Sequence, residues 1–147
     1  MSIGTEKSKP YIELTTFNIG DACCGINILN VQEINKLTQV TPVPLAPDYV
    51  KGILNLRGQI ITVMDVGKRL GLTSQCETKH QRNIVVRCKN EFVGLLVDSI
   101  GDVFRTERKN IEKPPANVVG LQGQFFEGVL KTDNQLITIL NLTALLG

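Results

Sequence analysis

A twenty-residue segment occurs twice in this chain, and this repetition constrains the fold more than any other feature of the sequence. The first copy, Gly52–Gly71, reads GILNLRGQIITVMDVGKRLG, and the second, Gly128–Gly147, reads GVLKTDNQLITILNLTALLG. The glycines coincide at both ends, and most of the apolar positions between them also match. A weaker similarity, between residues 25–34 and 94–103, occurs in the same order in each half. The sequence therefore predicts two copies of one small unit.

Each copy of the repeat has the pattern of two strands followed by a short helix. The apolar runs Ile53–Leu56 and Ile60–Met64 are of strand length and rich in Ile, Leu and Val. Gly58 lies between them and can adopt a positive φ without steric cost, which favours a tight hairpin. Beyond Asp65 the apolar spacing fits one or two helical turns, and Gly71 suits the position just past a helix end.

Length and composition describe an ordinary globular chain. With 147 residues it forms one domain or two small halves that share a core. The net charge of +2 and the 42% hydrophobic content argue against disorder and against a dedicated polyanion binder. Neither a signal peptide nor an apolar run of about 20 residues is present, which predicts a cytosolic protein without membrane insertion. Four cysteines with no CxxC spacing are expected to be reduced structural thiols, namely Cys23, Cys24, Cys76 and Cys88.

Turn signals divide the chain into nine or ten short strands with very little helix. Residues 1–10 are polar and are expected to be a flexible tail. Residues 38–47 contain three prolines and are expected to form an extended loop. The polar stretch Thr73–Arg82 is expected to connect the two halves, and Lys89–Glu91 marks a further hairpin. This organisation predicts an antiparallel, all-β protein, either barrels or a sandwich.

The run from Pro47 to Leu72, PDYVKGILNLRGQIITVMDVGKRLGL, resembles the signature of the CheW family, the adaptor proteins of bacterial chemotaxis. Shorter matches follow the family order over nearly the whole chain, from about residue 11 to residue 146. They are Phe17 with the Gly25-Ile26 pair, VQEI at 31–34, VGLLVD at 93–98, Ile111 with the following prolines, and the segment from Gly128 to Leu146.

The resemblance implies a fold of two SH3-like five-stranded β-barrels packed side by side, with short helical turns. This agrees with the duplication, which the residues indicate independently. Residues 11–147 would form a single CheW-like domain. Residues 11–82 would then hold the first barrel with its connector, and residues 83–147 the second. Exchange of strands between the two halves stays open.

The resemblance also implies a non-enzymatic scaffold that couples methyl-accepting chemoreceptors to the regulatory domain of the histidine kinase CheA. In the family, the receptor's helical tip is thought to lie in the groove between the barrels, and contacts between barrels build arrays. The protein would be cytoplasmic and recruited to these arrays at the inner membrane. Matching family positions gives a receptor groove formed by Val31, Glu33, Gly52, Arg57 and Val103, with Glu33 and Arg57 as a pair. Weaker candidates for kinase binding are Gly128, Val129 and Phe92.

The residues offer little for catalysis or for a cofactor. The only histidine, His80, could form half a metal site with Cys76, but no second pair of ligands follows. No Gly-rich phosphate loop occurs. Each of Asp65, Asp98 and Asp102 falls at a strand end, where turn or cap duty explains a carboxylate. We expect no enzyme activity, metal or cofactor.

A nucleic-acid-binding β-barrel is the alternative from another functional class. Its basic patch would be formed by Arg105, Arg108, Lys109 and Lys113, among which Glu107 and Glu112 dilute the charge. Salt-sensitive binding of DNA or RNA would favour this alternative. A regulatory module within a larger kinase is disfavoured by the polar segment after Met1 and by the absence of kinase or receiver sequence.

Overall fold

The computed structural model describes residues 10–37, 39–72, 80–114 and 123–147. Nine residues of the expected tail and most of the expected connector lie outside these ranges. Ten strands fall within them: β1 (Tyr11–Ile19), β2 (Ala22–Asn27), β3 (Val31–Asn35), β4 (Val50–Leu56), β5 (Gln59–Asp65), β6 (Arg82–Cys88), β7 (Glu91–Val97), β8 (Ser99–Glu107), β9 (Phe126–Lys131) and β10 (Leu136–Leu140).

The strands form two five-stranded sheets, which confirms the predicted all-β class. The first sheet has the order β8-β1-β2-β10-β9, and the second has the order β3-β6-β7-β5-β4. Each sheet contains one parallel pair, β2 with β10 and β5 with β7, and its other neighbours are antiparallel.

The two halves of the sequence exchange hairpins. The β1–β2 hairpin joins three strands from the second half, and the β6–β7 hairpin joins three strands from the first half. A boundary between residues 82 and 83 therefore does not separate the two sheets, and the expected barrel limits are corrected accordingly. The physical reason is that strand order depends on which edges meet in the folded chain, and the β1–β2 hairpin has its neighbours in β8 and β10.

Each sheet is closed into a barrel by a short bridge between its edges. Thr41, which follows edge strand β3, pairs with Ile53 on the opposite edge strand β4 through hydrogen bonds of 2.8 and 2.9 Å. At the equivalent place in the repeat, Glu112 follows β8 and pairs with Val129 on β9, again at 2.8 and 2.9 Å. The bridges satisfy backbone groups at the sheet edges that would otherwise stay unpaired.

One large apolar core joins the two barrels. It contains side chains from both sheets, among them Phe17, Ile84 and Leu95, together with residues of both short helices. We call it the shared core. A second, smaller cluster packs on the other face of the first sheet and includes Leu14 and Ile137. Strands β1, β2 and β10 consequently contribute side chains to both clusters, one from each face.

The two helices occupy the predicted place after the second strand of each repeat. Helix α1 (Val66–Leu70) begins after Asp65, whose carboxylate accepts a hydrogen bond from the Lys68 amide at 3.1 Å, and ends at Gly71 with φ 75°. Helix α2 (Leu142–Leu146) begins after Asn141, whose side chain plays the same role. Asp65 is thus a helix cap.

Candidate functional site

An exposed ion pair joins the two edges of the second sheet. The Arg57 guanidinium donates to both carboxylate oxygens of Glu33, at 2.5 and 3.3 Å. Glu33 lies on β3 and Arg57 at the turn between β4 and β5, so the pair spans the barrel at the point where it closes. Hydrogen bonds from Arg57 and Asn35 hold the pKa of the Glu33 carboxyl below its ordinary value. The sequence prediction paired these residues correctly.

Arg57 occupies a backbone conformation that arginine disfavours. The turn contains only two residues, Arg57 and Gly58, with φ angles of 52° and 83°. Asn and Gly are the usual residues in such turns, since both central positions need a positive φ. The Asn55 side chain supports the turn by accepting a hydrogen bond from the Gly58 amide at 2.8 Å. An arginine in this position raises the conformational energy of the backbone, which indicates a role for its side chain.

A polar chain leads from this pair into the barrel. Asn35 donates to Glu33 at 3.0 Å and accepts at 3.4 Å from Asn83, whose side chain is fully buried. The side-chain carbonyl oxygen of Asn83 lies against Gly94 and has no hydrogen-bond partner among the described residues. A Cβ at residue 94 would sit 2.4 Å from that oxygen, so the glycine provides the space for the amide. Sequence reasoning missed this chain because its members lie on three different strands.

The two valines assigned to the receptor groove both border the shared core. Val31 is half-buried and packs against that core. Val103 is 52% exposed and lies opposite Thr15 on β1. Thr15 points to the same face of its strand as Phe17, a shared-core residue, and directly opposed residues share a face. Val103 is therefore on the side of the first barrel that faces the shared core.

Three of the four remaining assigned positions, Gly52, Gly128 and Val129, are buried. A Cβ at residue 52 would lie 2.3 Å from the Thr41 carbonyl oxygen, and one at residue 128 would lie 2.5 Å from the Ile111 side chain. The close approach that a glycine allows is therefore made by the chain itself. These contacts give the three residues a role in closing the barrels, and their assignment to partner surfaces stays a prediction. Phe92, on β7, is half-buried.

Two exposed apolar side chains that sequence reasoning did not single out lie at equivalent places in the repeat. Ile60 is the second residue of β5 and is 61% exposed, and Leu136 is the first residue of β10 and is 42% exposed. The alignment of the two repeats already matches these positions, but the sequence alone does not tell whether they face the core or solvent.

The other titratable groups have structural environments. Burial raises the pKa of the Cys24 thiol to about 12, which makes it a poor nucleophile at neutral pH. Asp98 is buried and accepts a hydrogen bond from the Gly20 amide at 2.8 Å in the β1–β2 turn. Cys76 lies outside the described residues, and within the described ranges no three His, Cys, Asp or Glu side chains cluster as metal ligands would.

The proposed basic patch is interrupted by carboxylates. Lys109 pairs with Glu107 at 3.2 Å, and Lys131 from β9 pairs with Glu112 at 3.4 Å. The cations that a nucleic acid would need are thus partly neutralised within the protein. None of the helices in the described part of the chain has the length and apolar character required to cross a bilayer.

Known proteins are similar to this chain over most of its length. The family model for the CheW-like domain matches residues 13–147. The chemotaxis protein CheW of Rhizobium meliloti (strain 1021) is 35% identical over 130 residues, which cover 88% of this chain and 84% of the relative. The chemotaxis protein CheW of Bacillus subtilis (strain 168) is 30% identical over 142 residues, which cover 97% and 91%.

A solved structure has the same fold. It is the crystal structure of the scaffolding protein TtCheW from Thermoanaerobacter tengcongensis, with a TM-score of 0.86 and 34% sequence identity. The match covers 92% of this chain and 88% of that one.

Proposed function

The chain belongs to the family of CheW-like domains, and from this premise we propose that it couples chemoreceptors to a histidine kinase as a scaffold of chemotaxis signalling. Its relatives are themselves named as chemotaxis proteins, and its structural neighbour as a scaffolding protein. The observation that carries the coupling role is the position of one valine on each barrel: Val31 packs against the shared core, and Val103 lies on the sheet face that carries Phe17 of that core.

The receptor partner is the helical tip of a methyl-accepting chemoreceptor. We call the strip bounded by Val31 and Val103 the valine groove. Aliphatic side chains on both sides of a groove suit an amphipathic helix, which lays its apolar face between them. Glu33 lies on the same strand, β3, as Val31, and its ion pair with Arg57 orients the β4–β5 hairpin toward the bound helix.

The kinase partner is the CheW-like regulatory domain of CheA. Ile60 and Leu136 support this part of the proposal, because each barrel offers one exposed aliphatic residue at an equivalent place. They extend the proposed kinase surface beyond Gly128 and Val129, which are buried in this chain. The same two surfaces serve contacts between copies of this chain in an array. Each contact is expected at the small end of specific interfaces, below about 1,200 Å², as suits exchangeable signalling partners.

The scaffold acts by binding alone, without catalysis or a cofactor. The buried Cys24 thiol and the carboxylates of Asp65 and Asp98, which accept hydrogen bonds from backbone amides, have structural roles. Coupling of this kind places the protein in the cytoplasm, at the receptor arrays of the inner membrane.

A titration of the full-length chain tests the proposal. The probes are the cytoplasmic tip of a chemoreceptor and the regulatory domain of CheA, both from the same genome. We expect each probe to bind alone and both to bind together, because a scaffold that couples two partners must hold them at the same time. The Val103→Asp variant should lose the receptor probe only, and Leu136→Asp should weaken only the kinase probe. Failure of the wild-type chain to bind either probe would refute the proposed coupling.

A further inference from the structure

A cavity of about 290 Å³ opens at one end of the first sheet, and two of the residues that line it, Leu29 and Arg105, lie close in sequence to the valines of the groove. One wall contains Ile28 and Leu29 of the 3-10 turn Ile28–Asn30, and this turn directly precedes Val31. The other wall carries Tyr11 and Arg105 on β1 and β8. Leu29 and Arg105 are thus each two residues from a valine of the groove.

The outer wall of the cavity shares its face with Val103. Arg105 lies opposite Glu13, and Val103 lies opposite Thr15. Residues two apart on a strand point to the same side and lie about 6.6 Å apart. Tyr11, Glu13 and Thr15 therefore share one face of β1, and Thr15 is the residue opposite Val103. Arg105 follows Val103 along the same face of the sheet.

Arg105 is an exposed cation whose side chain is held in place by the Tyr11 ring. The Arg105 guanidinium carbon lies 4.5 Å from the centre of the Tyr11 ring, which is the diagonal arrangement that cross-strand neighbours favour. Tyr11 is 47% exposed, and Arg105 is also exposed. Among the described residues Arg105 forms no ion pair, although Glu13 is its cross-strand neighbour. The stacked ring holds the guanidinium fork at the cavity while leaving its donors available.

We propose that the Tyr11–Arg105 pair binds a carboxylate of the receptor helix, about one helical turn from the apolar side chain that packs on Val103. The spacing fits, because one turn of a helix rises about 5.4 Å and the two residues on β8 are separated by about 6.6 Å. Leu29, which is 61% exposed, forms the apolar side of this subsite. The groove thereby selects an amphipathic helix with an Asp or Glu at one defined place. The proposal rests on the proposed receptor coupling and specifies its partner.

The test compares two charge reversals in the full-length chain, with the cytoplasmic tip of a chemoreceptor from the same genome as the probe. Arg105→Glu should weaken binding by about five- to tenfold at low ionic strength, as loss of a charge-assisted hydrogen bond predicts. The weakening should shrink at about 0.5 M salt. Lys51→Glu, an equal change of charge at an exposed position on β4, is the control and should leave the affinity unchanged.

Two further variants separate the pair from general electrostatics. Tyr11→Leu keeps an apolar side chain on β1 but removes the ring, so it should weaken binding less than Arg105→Glu does. An Arg in place of the matching Asp or Glu of the receptor helix should restore the affinity of Arg105→Glu and of no other variant. Melting temperatures of all variants establish that the fold is kept.

The outcomes distinguish this inference from the coupling role. If Val103→Asp abolishes receptor binding while Arg105→Glu has no effect, the coupling role stands and the carboxylate subsite is refuted. If Lys51→Glu weakens binding as much as Arg105→Glu does, the effect is nonspecific and the subsite is again refuted. If the wild-type chain does not bind the receptor tip, the proposed function itself fails.

Discussion

Arg57 shows at the residue scale that local backbone preference and side-chain function oppose each other. Its φ of 52° suits Asn or Gly, yet the guanidinium reaches both oxygens of Glu33 from this position. A residue kept in a sparsely populated conformation is evidence that its side chain serves a purpose that a turn residue would not.

Arg57→Asn is expected to raise the melting temperature slightly and to reduce kinase activation by receptor. The substitution creates the Asn-Gly dipeptide that two-residue turns prefer, while it removes the ion pair to Glu33. Calorimetry and a reconstituted receptor–kinase assay measure the two effects. Arg57→Lys, which keeps the charge but not the bidentate geometry, is the matched comparison. Undiminished activation by the Asn variant would remove Arg57 from the coupling surface.

Gly52→Ala is expected to destabilise the protein by about 1–3 kcal/mol, the usual range for overpacking. The new Cβ would lie 2.3 Å from the Thr41 carbonyl oxygen, a backbone atom that closes the barrel. Gly58→Ala is the control, because its Cβ would meet nothing within 4 Å and only the positive φ opposes it. Urea denaturation of both variants checks the difference. Equal losses would mean that φ, and not the contact with Thr41, sets the cost.

Among the secondary-structure elements, helix α1 connects the two repeats through the side chain of Arg69. Arg69 projects from α1, and its guanidinium carbon lies 4.4 Å from the ring centre of Tyr49 and 4.7 Å from that of Phe125. It also donates to the Leu145 carbonyl oxygen in α2 at 3.0 Å. Short helices of one turn gain little from their own hydrogen bonds, so such tertiary contacts hold them in place.

Arg69→Ala is expected to lower the free energy of unfolding by about 2 kcal/mol, from two cation–π contacts and one hydrogen bond. The neighbouring Lys68 is exposed, and Lys68→Ala should change stability by less than about 0.5 kcal/mol. Chemical denaturation compares the two variants. If both have the same small effect, then Arg69 does not fasten α1 to α2.

At the scale of the whole molecule, the exchange of hairpins makes each half depend on the other. The first sheet lacks two of its strands without the first half, and the second sheet lacks two without the second half. The shared core also draws its side chains from both. Neither half can therefore close a barrel alone.

Two fragments divided within residues 73–79 are expected to be unfolded separately and to assemble when mixed. Each fragment alone would expose the apolar strand edges and faces that the other covers. Circular dichroism and NMR of each fragment and of their mixture test this expectation. Independent folding of residues 80–147 would contradict the dependence of the halves on each other.

The sequence predicted most features that depend on neighbouring residues. The two-strand repeat, the turn at Gly58, and the helix that ends before Gly71 all follow from local φ preferences and apolar spacing. The Glu33–Arg57 pair came from the resemblance, and the structure brings the two side chains together. Such features need only a few adjacent residues, or a known family pattern, to specify them.

The tertiary structure alone decided which strands share a sheet and which surfaces remain exposed. An apolar strand pattern states that a face is buried, but it does not say against which partner, so the hairpin exchange was not predictable. For the same reason Gly52 and Gly128 were assigned to partners, whereas the chain's own bridging segments cover them. Tyr11 and Arg105 become a pair only because β1 and β8, far apart in sequence, are neighbours in the first sheet.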